Sequence, residues 1–241
     1  MLSIEKGEMM SKRKQILFIA MVTVTIGLCF SCRSPEDADG NPDDADGALD
    51  LPDAGPDGGC PAGFSAAFDD SQSPYMGGEE SADVVIDTVK DFYCPACASF
   101  SLMADELWQN PEYQKRARLY FHNLVVHPDA LEIHQAARAV ANQDNAQFWK
   151  LHDAIYERTN AGDSMTIEDV VEWVQNNLQI DMNRFNADRA SAETLNFINA
   201  ERARALELGV TGTPTVFVCG VKLASWRELE TVVNGYLGIA E

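Results

Sequence analysis

Two cysteines stand three positions apart at a point where a buried strand gives way to a helix. Residues 84–89 are mostly apolar and β-branched, a composition typical of a buried strand. Residues 98–108 carry apolar side chains at helical spacing, which predicts a helix. Cys94 and Cys97 lie between the two segments. This order of strand, cysteine pair and helix predicts an α/β fold and favours redox chemistry at the pair.

The predicted position of the pair gives its two sulfurs different chemistry. Unsatisfied N–H groups make the first turn of a helix electropositive, and this stabilises a thiolate at Cys94. Cys97 comes one turn later and is expected to be more buried. Thiol–disulfide exchange needs one accessible thiol of low pKa and one captive partner. We therefore predict that Cys94 is the catalytic nucleophile and that Cys97 resolves the mixed disulfide.

A cysteine pair at this spacing also occurs in zinc sites and in structural disulfides. Zinc requires two further ligands, and the remaining candidates in the folded part, Cys60 and Cys219, each stand alone. The histidines show no metal-like spacing and are interpreted as surface or packing residues. They are His122, His127, His134 and His152. The sequence therefore predicts no metal site and no cofactor.

The rest of the folded part predicts one small mixed sheet flanked by helices. A second strand is expected within residues 119–126, and a hairpin within 215–223 turns at Gly220. Helical periodicity predicts further helices at 128–142, 148–157, 167–178, 182–190, 194–208 and 226–237. The helices between about 128 and 208 form an insertion between the second strand and the hairpin.

Three segments resemble the DsbA-like branch of the thioredoxin superfamily. They are DFYCPAC at 91–97, FWKLHDA at 148–154 and GTPTVFV at 212–218. The resemblance covers about residues 76–237 and implies a thioredoxin-like fold with an all-helical insertion. It also implies that the Thr213–Pro214 bond is cis and faces the cysteine pair. In that family this loop offers backbone groups to a substrate chain, so Thr213 and Pro214 are expected to line the substrate site.

The chain departs from that family's pattern at two positions. Many relatives carry a buried acid six residues before the first cysteine as a proton relay, and here that residue is Thr88. The neighbouring Asp87 is expected to face the other side of the sheet, because strand residues alternate. Many relatives also have Asn before the hairpin glycine, where this chain has Cys219. We predict a structural disulfide between Cys219 and Cys60; the alternative is that each is free or bonded to another chain.

The N-terminus has the pattern of an export signal. A basic segment at 12–14 precedes an uncharged, mostly apolar stretch at 16–30, which is shorter than the roughly 20 residues of a membrane span. Ser31–Cys32 resembles the lipobox of bacterial lipoproteins, which implies that Cys32 is lipidated and begins the mature chain. Residues 1–31 are then a signal peptide of the lipoprotein type. The alternatives are an ordinary cleaved signal or an uncleaved anchor.

The segment after the predicted signal is acidic and poor in apolar side chains. Residues 32–59 are rich in Asp, Pro, Gly and Ala, and such a segment cannot bury enough surface to offset its chain entropy. We predict a disordered tether that holds a domain at 60–241 away from a membrane. The whole chain has a net charge of −20. Because nucleic-acid binding requires clustered Lys and Arg, this charge argues against a nucleic-acid partner.

Taken as one chain, these features predict a lipid-anchored thiol–disulfide oxidoreductase of the bacterial envelope, facing the periplasm or the exterior. The leading hypothesis is an oxidase of cysteine pairs in exported proteins, and the resemblance implies a membrane redox partner. Pro95 and Ala96 of the redox motif lack a histidine that would favour strong oxidation, so an intermediate potential is expected. A disulfide reductase or isomerase, and a non-catalytic peptide-binding or chaperone module, are the alternatives. A monomer is expected, because no dimerisation segment is visible.

Overall fold

The computed structural model describes residues 52–78 and 82–240. The predicted signal peptide, the predicted lipidation site at Cys32 and most of the predicted tether lie outside these residues. Within the described ranges, no helix has both the length and the apolar character that crossing a membrane requires.

A mixed sheet of five strands lies at the centre of the described domain. Its strands are β1 (Tyr75–Gly77), β2 (Val84–Lys90), β3 (Ala117–Asn123), β4 (Thr215–Val218) and β5 (Val221–Lys222). Their order across the sheet is β1-β3-β2-β4-β5. β2 and β3 run parallel, and the other neighbouring pairs are antiparallel. The predicted thioredoxin-like sheet is confirmed, with β1 as an additional edge strand.

Eight α-helices surround this sheet in the part of the chain that the structure describes. They are α1 (Pro95–Leu107), α2 (Pro111–Arg116), α3 (Leu131–Ala141), α4 (Asn145–Asn160), α5 (Ile167–Asn177), α6 (Met182–Arg189), α7 (Ala192–Glu207) and α8 (Leu229–Leu237). The predicted insertion corresponds to α3 through α7. The sequence did not predict α2 or β1, because six and three residues are too few for a periodic pattern to show.

Polar caps set where the helices of the insertion begin. Asp144, Thr166, Asp181 and Ser191 precede α4, α5, α6 and α7, and the side chain of each accepts a hydrogen bond from an N–H of the first turn. Such a cap typically contributes about 1 kcal/mol to helix stability. The insertion therefore owes its helix boundaries to local sequence, which is why the predicted boundaries lie close to the observed ones.

Two apolar cores hold the junction between β2 and α1. On one side of the sheet, Ile86 of β2 and Phe100 of α1 pack in the same core as Leu229 of α8. The other core lies between the sheet and the insertion, where the rings of Phe121 of β3 and Phe148 of α4 pack with their centroids 5.3 Å apart. Burial of a large apolar side chain contributes roughly 1.5–3 kcal/mol. The start of α1 is thus held by the sheet and by the insertion.

Residues 52–59, which their composition assigns to the tether, lie against α8. The Gly59 N–H donates to the Tyr236 carbonyl oxygen at 2.6 Å, and the Tyr236 hydroxyl donates to the Pro52 carbonyl oxygen at 3.2 Å. A Cβ at Gly59 would lie 2.6 Å from the Asp83 carbonyl oxygen, and φ there is +86°, so glycine is required. Hydrogen bonds thus hold residues 52–59 against α8, and composition does not report such bonds.

Candidate active site

Cys94 occupies the N-cap position of α1. Its backbone is extended (φ −83°, ψ 115°). Pro95 follows at the first helical position, where a backbone N–H would have no partner within the helix, so proline costs no hydrogen bond there. The Cys94 carbonyl oxygen accepts the N–H groups of Cys97 at 3.0 Å and Ala98 at 3.1 Å. The Cys94 side chain therefore lies at the end of the helix that carries unsatisfied N–H groups.

The two sulfurs of the pair differ in exposure and in pKa. Cys94 is 8% exposed and Cys97 is 0% exposed, so only Cys94 can meet another molecule. A hydrogen bond with Cys97, helped by Thr213 and by the N–H groups of Cys97 and Ala96, lowers the pKa of Cys94 to about 5 against the effect of burial. Burial raises the pKa of Cys97 well above its ordinary value. At neutral pH the reduced pair is one thiolate and one thiol.

The loop before β4 lies against the Cys94 sulfur. The Thr213–Pro214 peptide bond is cis. Cys94 Sγ lies 3.3 Å from the Thr213 carbonyl oxygen, 119 positions away in sequence. The Thr215 hydroxyl donates to the Gly212 carbonyl oxygen at 2.8 Å and closes the loop. The structure thus brings the predicted redox motif and the predicted substrate loop to one place.

Asp91 organises the turn between β2 and Cys94. It is fully buried, and its carboxylate accepts the backbone N–H groups of Val126 at 2.6 Å, His127 at 2.9 Å and Tyr93 at 2.7 Å. Its carbonyl oxygen accepts the Cys94 N–H at 3.1 Å. Asp91 therefore ties the segment after β3 to the residue that carries the nucleophile. The motif contained Asp91, but the sequence did not indicate this role.

Lys90 lies buried beneath the cysteine pair and was missed as a site residue. Its Nζ lies 3.4 Å from Ser101 Oγ of α1 and 2.6 Å from His152 Nε2 of α4. Four aromatic rings surround the ammonium group with their centroids 5.2–5.7 Å away: Phe100, Phe121, Trp149 and Tyr156. Burial lowers the pKa of Lys90 to about 8, and interaction with Cys97 is the largest opposing effect. A lysine at the end of a buried strand, four residues before the nucleophile, is the signal that could have revealed it.

His152 continues a polar path from Lys90 to the surface. Burial lowers the pKa of His152 well below its ordinary value, so the ring is neutral and Nε2 accepts a hydrogen bond from Lys90 Nζ. His152 Nδ1 then donates to Asp153 Oδ1 at 2.7 Å, and the Asp153 side chain is 54% exposed. Cys97 itself has no exposed surface. This path offers a route by which charge near Cys97 can be balanced from solvent.

The strand alternation predicted for β2 is observed. Thr88 donates its hydroxyl to the Tyr120 carbonyl oxygen at 2.6 Å and supplies no titratable group to the cysteine site. Asp87 is fully buried and contacts His122 at 3.0 Å. Lys90, three residues from Asp87, faces α1 and α4 instead. Asp87 is therefore not the missing acid of the redox site.

Cys60 and Cys219 are joined by a disulfide across 159 positions of sequence, with their Cα atoms 5.3 Å apart. The Cys60 N–H donates to the Asp83 carbonyl oxygen at 2.7 Å, next to β2. Cys219 precedes Gly220 in the turn of the β4–β5 hairpin. The bond therefore fastens the N-terminal segment to the far side of the sheet, away from the redox pair.

Three of the histidines are buried, while the side chain of His127 keeps 47% of its surface exposed. His134 Nδ1 lies 2.7 Å from Asn123 Oδ1, and its Nε2 faces the Phe92 N–H at 3.4 Å. His127 and His134 thus serve as packing and hydrogen-bonding residues near the active-site turn. His152 contributes to the path described above, a role that its sequence spacing did not indicate.

The geometry supports thiol–disulfide exchange in two steps. A thiolate of low pKa at Cys94 attacks or leaves at the surface, while Cys97, one helical turn away, is held inside. The loop carrying Thr213 places backbone groups beside the reacting sulfur. Because the pKa of Cys94 is about 5, the thiol is ionised at neutral pH and needs no neighbouring base to take its proton.

Comparison with known proteins places this chain in a broad group of redox proteins. A family model described as Thioredoxin matches residues 70–234. A protein of Bacillus anthracis named probable disulfide bond formation protein D is 29% identical over 155 residues, which are 59% of this chain and 68% of that protein. The matched family region contains both the cysteine pair and the loop before β4.

Solved structures share the fold at low sequence identity. Oxidised BdbD from Bacillus subtilis superposes with a TM-score of 0.63 at 16% identity, covering 78% of this chain and 100% of that chain. The catalytic domain of ScsC from Proteus mirabilis gives a TM-score of 0.57 at 19% identity, covering 71% and 93%. Both comparisons support the sheet with a helical insertion.

Proposed function

This chain belongs to the thioredoxin family, in its DsbA-like branch, and on that premise we propose that it oxidises cysteine pairs in exported proteins. The proposed activity is thiol–disulfide exchange through Cys94 and Cys97. Thr213 and Pro214 receive the substrate chain beside Cys94. The relatives named disulfide bond formation protein D support this direction of electron flow.

The observation that carries the proposal is the placement of Cys94 at the N-cap of α1 with its Sγ beside Thr213. This setting goes with a pKa of Cys94 lowered to about 5. Stabilisation of the Cys94 thiolate lowers the free energy of the reduced pair. Reduction of the disulfide is then more favourable, so the disulfide form is a stronger oxidant. The hydrogen bonds from Cys97, Thr213 and the first turn of α1 supply that stabilisation here. A reductase has the opposite requirement, since it must hold a disulfide more strongly than its substrate does.

The reaction begins with the pair as a disulfide. A substrate thiolate attacks Cys94 Sγ, the Cys94–Cys97 bond breaks, and Cys97 leaves with the electron pair. The ammonium group of Lys90 favours that departing thiolate, which then takes up a proton. A second substrate thiolate attacks the substrate sulfur of the mixed disulfide, and Cys94 leaves as a stable thiolate. The substrate loses two electrons and the pair gains them, so a separate oxidant must restore the disulfide. A membrane redox partner fills that role in our proposal.

The placement of the enzyme is part of the same proposal. Export through residues 1–31, lipidation at Cys32 and an acidic tether would hold the domain at a membrane facing the periplasm or the exterior. In this proposal the tether runs from residue 32 to about residue 59, and its last part lies against α8. The domain acts as a monomer in this proposal.

The equilibrium reduction potential of the Cys94–Cys97 pair tests the direction. Titration against glutathione redox buffers, with alkylation of free thiols, measures it. An oxidase is expected to give a value near about −120 to −150 mV, and a value near about −230 mV or below would show that the pair is kept reduced. The latter result would favour a reductase or isomerase. Suppression of client aggregation that survives in Cys94→Ser, without any thiol oxidation, would instead favour a chaperone module.

A further inference from the structure

A second buried polar cluster lies on the face of β2 opposite Lys90. Its members are Asp70, Asp87 of β2, His122 of β3 and Glu201 of α7. His122 Nε2 lies 3.0 Å from Asp87 Oδ1 and 3.4 Å from Asp70 Oδ1. His122 Nδ1 lies 2.9 Å from Glu201 Oε1. Side-chain ligand atoms of the two aspartates and His122 all lie within 4.8 Å of one another.

Contacts on the other side of the ring fix the tautomer of His122. Glu201 Oε2 accepts the Asn123 backbone N–H at 2.9 Å and the Asn123 side-chain amide. The Ser73 hydroxyl donates to Glu201 Oε1 at 3.3 Å. A carboxylate anchored in this way accepts the Nδ1–H of His122, so Nε2 is the ring nitrogen that faces the two aspartates. Phe68 stacks on the ring at 4.0 Å and holds its plane.

Two carboxylate oxygens of the cluster have no hydrogen-bond donor among the described residues. Among the described residues, Asp87 Oδ2 and Asp70 Oδ1 are buried without a partner, and Asp87 is 0% exposed. Arg138, the nearest arginine on α3, donates to the Gln72 carbonyl oxygen instead. A proton on His122 Nε2 would be donated to Asp87 Oδ1 at 3.0 Å and would leave both of these oxygens without a donor. Even when His122 is protonated, its single positive charge faces three carboxylates, so the cluster carries an excess of buried negative charge.

We propose that Asp70, Asp87 and His122 bind a divalent transition-metal ion of the zinc type. One imidazole nitrogen and two carboxylate oxygens form a set of ligands that Zn²⁺ accepts. Ligands at about 2.0–2.1 Å from a tetrahedral ion lie about 3.3 Å apart, and the observed separations from His122 Nε2 are 3.0 and 3.4 Å. Glu201 is the outer carboxylate that orients a metal-bound histidine.

The identity of the ion follows from the ligands. Calcium and magnesium take oxygen ligands, whereas an imidazole nitrogen favours zinc and its neighbours in the first transition row. The Asp70 side chain keeps 16% of its surface exposed, so a water molecule can reach the fourth position. The ion would link β2, β3 and the segment before β1. Binding to the folded state alone would raise its stability.

Zinc binding by the oxidised full chain tests the proposal. The oxidised form is required, because free thiols of Cys94 and Cys97 would bind zinc themselves. Isothermal titration calorimetry with ZnCl2 is expected to show one equivalent bound, and Tm is expected to rise. His122→Gln and Asp70→Asn are expected to lose binding. Glu201→Gln is expected to weaken it by about 10- to 100-fold. Glu168→Gln, an exposed acid on α5, is the matched control and should bind as the wild type does.

Cobalt substitution gives a second readout that does not depend on thermal stability. Co²⁺ bound by a nitrogen and oxygens in a four-coordinate site is expected to show visible absorption, which Asp70→Asn should remove. Asp70 lies at the edge of the cluster, so this variant disturbs packing least, and circular dichroism verifies its fold. Absence of zinc binding by the wild type would overturn the proposal. So would zinc or cobalt binding that persists in both His122→Gln and Asp70→Asn, or a site that takes Ca²⁺ but not Zn²⁺.

Discussion

The two cysteine pairs of this domain place the same functional group in opposite surroundings. Cys94 and Cys97 are free thiols three residues apart at the start of α1. Cys60 and Cys219 are bonded across 159 positions of sequence. The first pair has several donors aimed at one sulfur, whereas Cys60 Sγ accepts the Val85 N–H at 3.4 Å, outside the redox site.

The difference shows what separates a reactive disulfide from a structural one. Opening the Cys94–Cys97 bond frees one helical turn, which the rest of α1 still holds, and produces a stabilised thiolate. The Cys60–Cys219 bond closes a long loop, which lowers the conformational entropy of the unfolded chain and so stabilises the folded state. A disulfide between cysteines close in sequence, one of which has a low pKa, is reactive. A disulfide between cysteines far apart in sequence stabilises the fold.

Removing the nucleophile should have the largest effect. Cys94→Ser is expected to abolish oxidation of a reduced dithiol peptide, because no other described sulfur combines exposure with a low pKa. Cys97→Ser cannot form the active-site disulfide and is also expected to lose oxidation. Its Cys94 thiolate should still attack a disulfide-containing peptide and accumulate the mixed disulfide, which mass spectrometry detects. Ser99→Ala, an exposed hydroxyl of α1, is the control. Oxidation by Cys94→Ser through Cys60 and Cys219 would erase the distinction between the pairs.

Removing the structural bond should change stability and leave exchange intact. The Cys60→Ala/Cys219→Ala protein is expected to lose about 2–4 kcal/mol of unfolding free energy, measured by urea denaturation. Its rate of peptide oxidation under native conditions should match the wild type. An equal loss of exchange rate would mean that the disulfide also positions Cys94. Unchanged stability would show that the segment at 52–59 holds without it.

Replacing Lys90 should change the reactivity of Cys97 and leave that of Cys94 largely unchanged. Lys90→Met removes a cation beside Cys97 and should raise the pKa of Cys97. Attack by Cys97 on a mixed disulfide should then slow about three- to fourfold for each unit of that rise, because the higher nucleophilicity of the thiolate partly offsets its lower fraction. Lys90 loses its charge as pH rises through about 8, so the wild type and the variant should converge above that pH. His152, Asp105 and Asp153 also face Lys90, and the pKa of Asp105 is raised to about 6 by burial.

Stopped-flow kinetics of mixed-disulfide decay across pH measure this effect. Lys150→Met, an exposed lysine on α4, is the matched control and should behave as the wild type at every pH. Equal slowing of the Lys90 variant at low and high pH would indicate a packing defect instead. Unfolding measured on the same samples would identify such a defect independently.

Thr213→Val should produce the smallest change. It removes one of several hydrogen bonds that lower the pKa of Cys94, so that pKa should rise by less than about one unit, or about 1.4 kcal/mol. Ultraviolet absorbance of the thiolate, titrated with pH, measures it. Thr211→Val, an exposed threonine nearby, should leave the pKa unchanged. If the pKa of Cys94 rises more in Thr213→Val than in a variant of the first turn of α1, the loop contributes more than the helix to the stability of the thiolate.

Much of the site could be predicted because its signals are local. The strand before Cys94, the helix after it and the capped helices of the insertion each follow from short-range patterns. The loop at Thr213 and Pro214 was expected from the resemblance to a known family. The opposite orientation of Asp87 followed from strand alternation alone. These features depend on residues within one or two elements.

Other features depend on partners that sequence spacing does not reveal. Lys90 meets His152 across 62 positions, and His122 meets Glu201 across 79. The segment at 52–59 is held by backbone hydrogen bonds to α8, which leave no mark in composition. The sequence by itself determined the reactive pair, its strand–helix setting and the fold class, because periodicity and local chemistry encode them. Only the tertiary structure decided which buried charges face each sulfur and which polar groups share a cavity, because packing of distant elements sets those contacts.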